Sequence, residues 1–386
     1  MYLDAAATTP VRREVLEAMW PYLAGGEDGV FGNPSSRHET GERAAAALAA
    51  ARERIAAALG CRPAEVVLTS GGTEGDNLAV KGIALAAPRG RHLVVSAVEH
   101  EAVLESAAYL RRLHGFEVTM LPVDAEGRVD PGMFAAALRP DTTLASIQHA
   151  NNEVGTIQPI AELAAIARDH GVPLHTDAVQ SAGWLDVGLD GTDGLGVDAV
   201  TISGHKLGAP KGIGALAVRR GIRLEPLVHG GGQERGRRSG TENLAGAVGL
   251  AAALDLASAM REAAPRVAAF RDAVLAGLGA SLPGIVVTGA TGAGRLPNHV
   301  SFCVPGTNGE SVLLELERRG ITGSSGSACA AGSDEPSHVL LALGVDEAVA
   351  RTSVRLTFGA DADPADAPAV VAAVRAAVAA FDPLRR

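Results

Sequence analysis

Ala199-Val200-Thr201-Ile202-Ser203-Gly204-His205-Lys206 is the stretch from which the rest of this chain is read. Its first five residues alternate and are rich in β-branched side chains, which marks a strand, and that strand closes on His205 and Lys206. In an open α/β sheet, ligands bind in the crevice outside the carboxyl ends of the strands. A lysine delivered there from a buried strand is partly desolvated. Desolvation favours the neutral amine, which can then form a Schiff base with a carbonyl compound. Lysines beside strands are more often solvated surface charges, so Lys206 needs partners before it counts as chemistry.

The first partner lies 29 residues upstream, where Asp177 ends the strand-like Val172-Pro173-Leu174-His175-Thr176. That interval holds one crossover and one further strand. An amine and a carboxylate on neighbouring strand ends suit pyridoxal 5'-phosphate (PLP), whose pyridine nitrogen needs a carboxylate if the ring is to act as an electron sink. Gln180, in the same turn, could reach the phenolic oxygen. Asp177 could equally be an N-cap for the next helix, a reading that predicts backbone contacts only. A phosphate cup is visible in Leu68-Thr69-Ser70-Gly71-Gly72-Thr73-Glu74, where the strand at Val66-Val67-Leu68 runs through glycines into a helix-forming stretch. Free amides and the helix dipole hold anions at such a junction. The stretch is neither a Walker loop nor a dinucleotide fingerprint, and a plain strand-turn-helix connection also explains two glycines.

These pieces stand beside Tyr2-Leu3-Asp4 with Ala7-Thr8-Thr9-Pro10, Gly32-Asn33-Pro34-Ser35-Ser36, Asn151-Asn152-Glu153 and Arg238-Ser239-Gly240-Thr241. Nearly end to end, the ordered set resembles the cysteine desulfurases of group I, the NifS/IscS-like members of the class V aminotransferase group of fold type I PLP enzymes. The resemblance implies that Lys206 holds PLP, Asp177 pairs with the pyridine nitrogen, and Gln180 contacts the phenolic oxygen. It implies that His100, in Ser96-Ala97-Val98-Glu99-His100, stacks on the ring and moves protons, although a lone histidine is also a common structural residue. Gly72, Thr73, Ser203 and His205 are implied as phosphate ligands, with Thr241 reaching in from a second subunit of a homodimer.

At the substrate end the resemblance assigns Arg355 to the amino-acid carboxylate of L-cysteine, assisted by Asn152 and Asn33. A guanidinium fork suits bidentate contact, and the competing reading of an inward arginine on an alternating strand is a structural ion pair. The basic loop Gly230-Gly231-Gly232-Gln233-Glu234-Arg235-Gly236-Arg237-Arg238 reads alone as a solvated loop. By resemblance it lies near the site across the dimer, which makes Arg235, Arg237 and Arg238 further candidates.

The chain has three cysteines, with no CxxC spacing and no disulfide or zinc pattern, which points to a reducing compartment. Cys303 lies in the apolar strand pattern Val300-Ser301-Phe302-Cys303-Val304 and reads as a buried small hydrophobe; Cys61 is ambiguous. Cys329 sits in Ser324-Ser325-Gly326-Ser327-Ala328-Cys329-Ala330-Ala331-Gly332-Ser333, among small residues that leave a thiol accessible. This resembles the mobile cysteine loop of the group I enzymes, expected at about 323–334. By that resemblance Cys329 accepts the sulfur of L-cysteine, L-alanine is released, and the persulfide passes to an acceptor protein. A PLP aminotransferase or lyase of the same fold, selenocysteine lyase included, is the alternative, as is a scaffold that binds sulfur acceptors without turnover.

Composition fits a large enzyme, with 47% hydrophobic and 20% charged residues. At 386 residues the chain exceeds what one core usually serves, so two domains are expected: 16–255 as the large PLP-binding domain, and 1–15 with 256–386 as a smaller α+β domain carrying the cysteine loop. Strands are expected at Val66, Leu93, Val118, Leu144, Leu174, Val200 and Ala215. They alternate with alanine-rich helices, which predicts an α/β fold with a mainly parallel seven-stranded sheet. A helical stretch from Leu244 to Leu282, interrupted at Pro265, bridges to the smaller domain. No long uninterrupted apolar run and no basic-then-apolar start appear, which predicts a cytoplasmic protein without a membrane span. A net charge of −10 argues against direct nucleic-acid binding. The sequence stops soon after Phe381-Asp382-Pro383, short of the tail of longer group I members, which leaves the sulfur acceptor open.

Overall fold

In the computed structural model, which describes residues 1–25, 29–190, 194–326 and 335–381, each of the seven β-rich runs forms a strand. They are β1 (Val66–Thr69), β2 (His92–Ser96), β3 (Glu117–Leu121), β4 (Thr142–Ser146), β5 (Leu174–Asp177), β6 (Ala199–Ser203) and β7 (Gly214–Val218). The sheet order is β1-β7-β6-β5-β4-β2-β3. From β3 to β6 all neighbours are parallel, whereas β7 runs antiparallel to both β6 and β1. Two reversals bring β1 back into the direction of β6. Six carboxyl ends therefore share one edge of the sheet, and the crevice outside them is where the site forms.

Every strand except β3 is buried along its whole length. Helices cover both faces, so the strands read as continuous apolar runs rather than as half-polar ones. The pleat sorts side chains between two cores. Val66, Leu68, Val94, Ala145, Val200 and Ile202 pack with the helices Arg13–Leu23, Glu39–Ala58, Ile160–Asp169 and Leu244–Asp255. Val67, Leu93, Val95, Leu144 and Leu216 pack with the helix Glu101–His114 and the helical run 72–86 on the other side.

A second sheet, β8 (Val286–Val287), β9 (His299–Cys303) and β10 (Ser353–Thr357), is antiparallel in the order β10-β9-β8. Phe270, Val300, Phe302, Val354, Leu356 and Val370 form its core, and Leu3 joins them from the N-terminal segment. That segment is extended and stitched at both ends. Leu3 exchanges backbone hydrogen bonds with Thr322 and Thr357, while Thr9 and Arg12 donate to the carbonyls of His205 and Gly208 at 2.9 and 3.0 Å.

The helical stretch after Leu244 differs from expectation. It bends by 45° at Leu256, between Leu244–Asp255 and Ala257–Ser281, and the second helix continues through Pro265. Pro265 and Arg261 both lie on the exposed side of the helix, where the hydrogen bond that a proline removes costs least. Among the described residues no single helix is long and apolar enough to cross a membrane.

Candidate active site

Ten of the residues singled out in the sequence line one cavity of about 300 Å³ at the carboxyl edge of the large sheet. Gly72 and Thr73 follow β1, His100 follows β2, Asn152 follows β4, Asp177 ends β5, and Gln180 lies in the turn after it. Ser203, His205 and Lys206 come from the end of β6, and Arg355 enters from β10 of the other sheet.

Lys206 is half-buried and turned toward the N-terminal segment, where its Nζ donates to the Ala6 carbonyl and, at 2.7 Å, to that of Ala7. Gln180 Nε2 donates to the Ala6 carbonyl at 3.0 Å. Asp177 is 8% exposed and its Oδ1 accepts the Val179 N–H at 2.8 Å. The backbone contact of a turn-capping aspartate and a place in the cavity thus belong to the same side chain. Burial raises its pKa above the ordinary carboxylate range, against the pull of His100, the Val179 N–H and Lys206. His100 Nδ1 accepts the Ala102 N–H at 3.1 Å, capping the helix Glu101–His114. Burial and the charges of Lys206 and Lys211 push His205 down to about 4, so the ring is neutral at pH 7, with Nδ1 3.1 Å from Thr8 Oγ1.

The glycine turn after β1 is tight. Gly71 sits at φ 154°, and a Cβ on Gly72 would lie 2.7 Å from Val179 Cγ2, so a side chain at Gly72 would push into the cavity wall. Arg355 is 3% exposed; Nη2 meets Asp4 Oδ1 at 2.8 Å and Nη1 donates to the Asn152 carbonyl at 2.9 Å. Its Nε has no hydrogen-bond partner among the described residues. The ion pair expected of a structural arginine is present, and one buried guanidinium donor remains for an anion.

Asn33 and Thr241 do not line the cavity; both are exposed, and Asn33 Oδ1 accepts the Ser35 N–H at 2.9 Å in a turn. Cys329 lies outside the described residues. Of the expected cysteine loop, 323–326 is described, and Ser324 in it is tied to Arg355 by two backbone bonds of 3.1 and 2.7 Å. Arg237 and Arg238 bind within their own chain, Arg237 to the carbonyls of Ala64 and Val66, Arg238 to Glu74 at 2.9 Å. Their loop is held by a buried pair, Arg52 and Glu234, at 2.6 and 2.7 Å, and Glu234 also accepts the Leu68 N–H at 3.0 Å.

Sequence reasoning missed Ala6, Ala7, Gln148 and Asp76, which line the same cavity. Asp76 had a signal: it lies one helical turn beyond Gly72, on the same face. It is 1% exposed, its Oδ1 lacks a hydrogen-bond partner among the described residues, and burial together with Asp177 raises its pKa well above the usual range. His175 Nε2, 3.7 Å away, offers no charge, because burial drives that imidazole down to about 3. Glu99, next to His100, is pushed up to about 8 by burial although Ser96 and the Gln148 N–H bond it.

The cavity thus gathers an amine, an inward carboxylate backed by buried acids, an imidazole, hydroxyls beside glycine amides, and a guanidinium. This donor set fits an aromatic aldehyde that carries a phosphate, with an amino acid placed between it and Arg355.

Residues 1–369 match the family described as Aminotransferase class-V. The chain is 47% identical over 361 residues to the cysteine desulfurase IscS of Dictyoglomus turgidum, covering 93% of this chain and 89% of that protein. A solved NifS-like protein superposes with a TM-score of 0.89 at 34% identity, covering 98% of this chain and 99% of its own. The structure of SspA in complex with cysteine superposes with a TM-score of 0.79 at 38% identity, covering 93% and 98%.

Proposed function

The chain belongs to the class V aminotransferase family and to its cysteine desulfurase branch, and from that premise we propose that it removes sulfur from L-cysteine with PLP, leaving L-alanine and a persulfide on Cys329. The observation that carries this reading is the convergence of Lys206, Asp177, His100, Gln180 and Arg355 on one cavity. Bound there, PLP supplies an electron sink for bond cleavage at the substrate's α- and β-carbons. Lys206 Nζ would hold the cofactor through its aldehyde carbon, and as a free amine it would be the base that moves the substrate's α-proton. Asp177, drawn toward its charged form by His100 and Lys206 against its burial, would face the pyridine nitrogen, beside Asp76 and Glu99, whose pKa values burial also raises. Gly72, Thr73, Ser203 and neutral His205 hold the phosphate, and Thr241 of a second copy completes that cup.

Arg355 orients the substrate carboxylate through its uncommitted donor, with Asn152 on the substrate side. The sulfur step balances within the two thiols: the substrate Cβ–Sγ bond breaks, a Cys329 Sγ–S bond forms, and the protons left over complete the methyl group of alanine and the persulfide. Cys61 and Cys303 support the choice of Cys329 by their own chemistry, since burial pushes their thiols up to about 12 and about 11 and leaves little thiolate. An acceptor thiol on another protein takes the persulfide sulfur, in a cytoplasmic setting where thiols stay reduced. In the same proposal 16–255 is the cofactor domain, and 1–15 with 256–386 the smaller one.

Incubation with L-cysteine, with and without Cys329→Ala, tests the reading. Wild type makes alanine and a persulfide that labels Cys329, and Cys329→Ala keeps the visible cofactor band but loses turnover. A Cys329→Ala protein that forms alanine at the wild-type rate would sink the acceptor assignment and favour a lyase.

A further inference from the structure

The N-terminal segment borders a second cavity, of about 630 Å³, roughly twice the size of the first. Ala5 and Thr9 of that segment line it, Ala6 and Ala7 line the cofactor cavity, and Gln180 and Lys206 reach both. The walls of the second cavity are apolar. Trp184 comes from the turn after β5, Leu207 follows β6, Met260 and Phe270 lie on the helix Ala257–Ser281, and Phe358 follows β10, all of them buried. The Phe270 and Phe358 rings meet edge to face with centroids 4.6 Å apart, which fixes that wall. A concave, mostly apolar chamber with a few polar groups is the usual form of a small-molecule site.

Two polar side chains in it have bonding capacity to spare. Asn298 is 6% exposed; its Nδ2 donates to the Phe358 carbonyl at 3.3 Å, and its Oδ1 has no hydrogen-bond partner among the described residues. Arg12 is half-buried, and its stem lies against Gly208, where a Cβ would be 2.7 Å from Arg12 Cγ. The Arg12 backbone N–H donates to the Gly208 carbonyl, but its guanidinium makes no hydrogen bond or ion pair among the described residues. A guanidinium carries five donors in a planar fork that matches a carboxylate, and a partly desolvated one without an anion is costly. The opposite charge stands on the solvent side of the same cavity, where Asp361, Asp363 and Asp366 are exposed. Asp363 Oδ1 accepts the Ala365 N–H at 2.9 Å.

We propose that this cavity binds an α-amino acid with a bulky apolar side chain, as its zwitterion. The carboxylate meets Arg12, the ammonium meets the aspartates with Asn298 Oδ1 as a neutral acceptor, and the side chain packs on Trp184, Met260, Phe270 and Phe358. A plain apolar anion is repelled by the aspartates and a plain amine by Arg12, so the pair of charges selects the zwitterion. The site is separate from the cofactor cavity and does not rest on the reading of Cys329.

Trp184 is the reporter. The chain has two tryptophans, so the holoenzyme is prepared with Trp20→Phe and titrated with L-phenylalanine while tryptophan emission is followed. Emission changes saturably with a Kd below about 1 mM, a modest affinity for a molecule of that size. The single-charge probes 3-phenylpropionate and phenethylamine bind at least about threefold more weakly. Arg12→Gln keeps the visible cofactor band, because its side chain bonds nothing that holds the fold, and weakens L-phenylalanine at least about tenfold. Arg355→Lys leaves the Kd unchanged, which separates this cavity from the substrate end of the other. The inference is overturned by a Kd above about 1 mM, by a loss smaller than about tenfold in Arg12→Gln, by a single-charge probe that binds within about threefold of L-phenylalanine, or by a Kd that weakens with Arg355→Lys. If Arg12→Gln does not fold, the single-charge probes on the Trp20→Phe holoenzyme still decide.

Discussion

Glu99 shows how a single buried carboxyl couples the site to pH. Its pKa in the folded protein is about 8, above the ordinary value of 4.5, and its Oε2 has no hydrogen-bond partner among the described residues. A carboxyl whose folded pKa is raised binds more protons folded than unfolded. Its folded form is least penalised below pH 4.5 and loses stability as pH climbs toward 8. Glu99→Gln keeps an acceptor for Ser96 and the Gln148 N–H but cannot ionise. The expected outcome is a Tm equal to wild type at pH 5 and higher than wild type at pH 9; equal values at both would show that Glu99 stays neutral or finds a counter-charge. Arg355→Lys loses the planar fork but keeps the charge. KM for L-cysteine should rise about 10- to 100-fold, matching the 1.5–3 kcal/mol of a hydrogen bond to a charged group, with kcat less affected in steady-state assays. At this scale the sequence showed residues that advertise chemistry, such as Lys206 and Asp177. It hid Ala6 and Ala7, which contribute only carbonyls, and a carbonyl has no residue type.

Between elements, the Arg52–Glu234 pair fastens the basic loop 230–240 to the helix Glu39–Ala58 and to β1, through Val66 and Leu68. Both side chains are buried. Glu234→Ala leaves the Arg52 charge uncompensated, and the expected loss is about 3–5 kcal/mol, read from urea unfolding of the wild-type and variant proteins. A loss below about 1 kcal/mol, the range of surface pairs, would mean that water reaches Arg52. The loop had read as a solvated one because glycine and arginine dominate it, and only tertiary burial turns Glu234 into an anchor. Six of the seven strands were legible because strands buried on both faces write themselves as continuous apolar runs. The reversal of β7 was not, because strand direction depends on what the connection spans. The break at Leu256 was hidden as well, since proline signals a break only where its lost hydrogen bond is buried.

The whole molecule is expected to work as a homodimer, with Thr241 serving the neighbouring cofactor cup. Neither Lys206→Ala nor Thr241→Ala should turn over L-cysteine alone at the wild-type rate. Mixing the two after mild dissociation creates dimers in which one site holds both native residues, so part of the activity returns. If Thr241 served its own chain, mixing would restore nothing. The ion pair between Asp4 and Arg355 joins positions 351 residues apart. During synthesis at about 10 residues per second, Asp4 is made roughly half a minute before its partner. Until β10 emerges, the N-terminal wall of the cavity is held at one end only, by His205 and Gly208, and its other end lacks Thr357 and Arg355. A chain interrupted on the ribosome can carry the lysine, the aspartate and the glycine turn, and still lack a closed chamber. The chamber therefore closes only after the whole of β10 has been made.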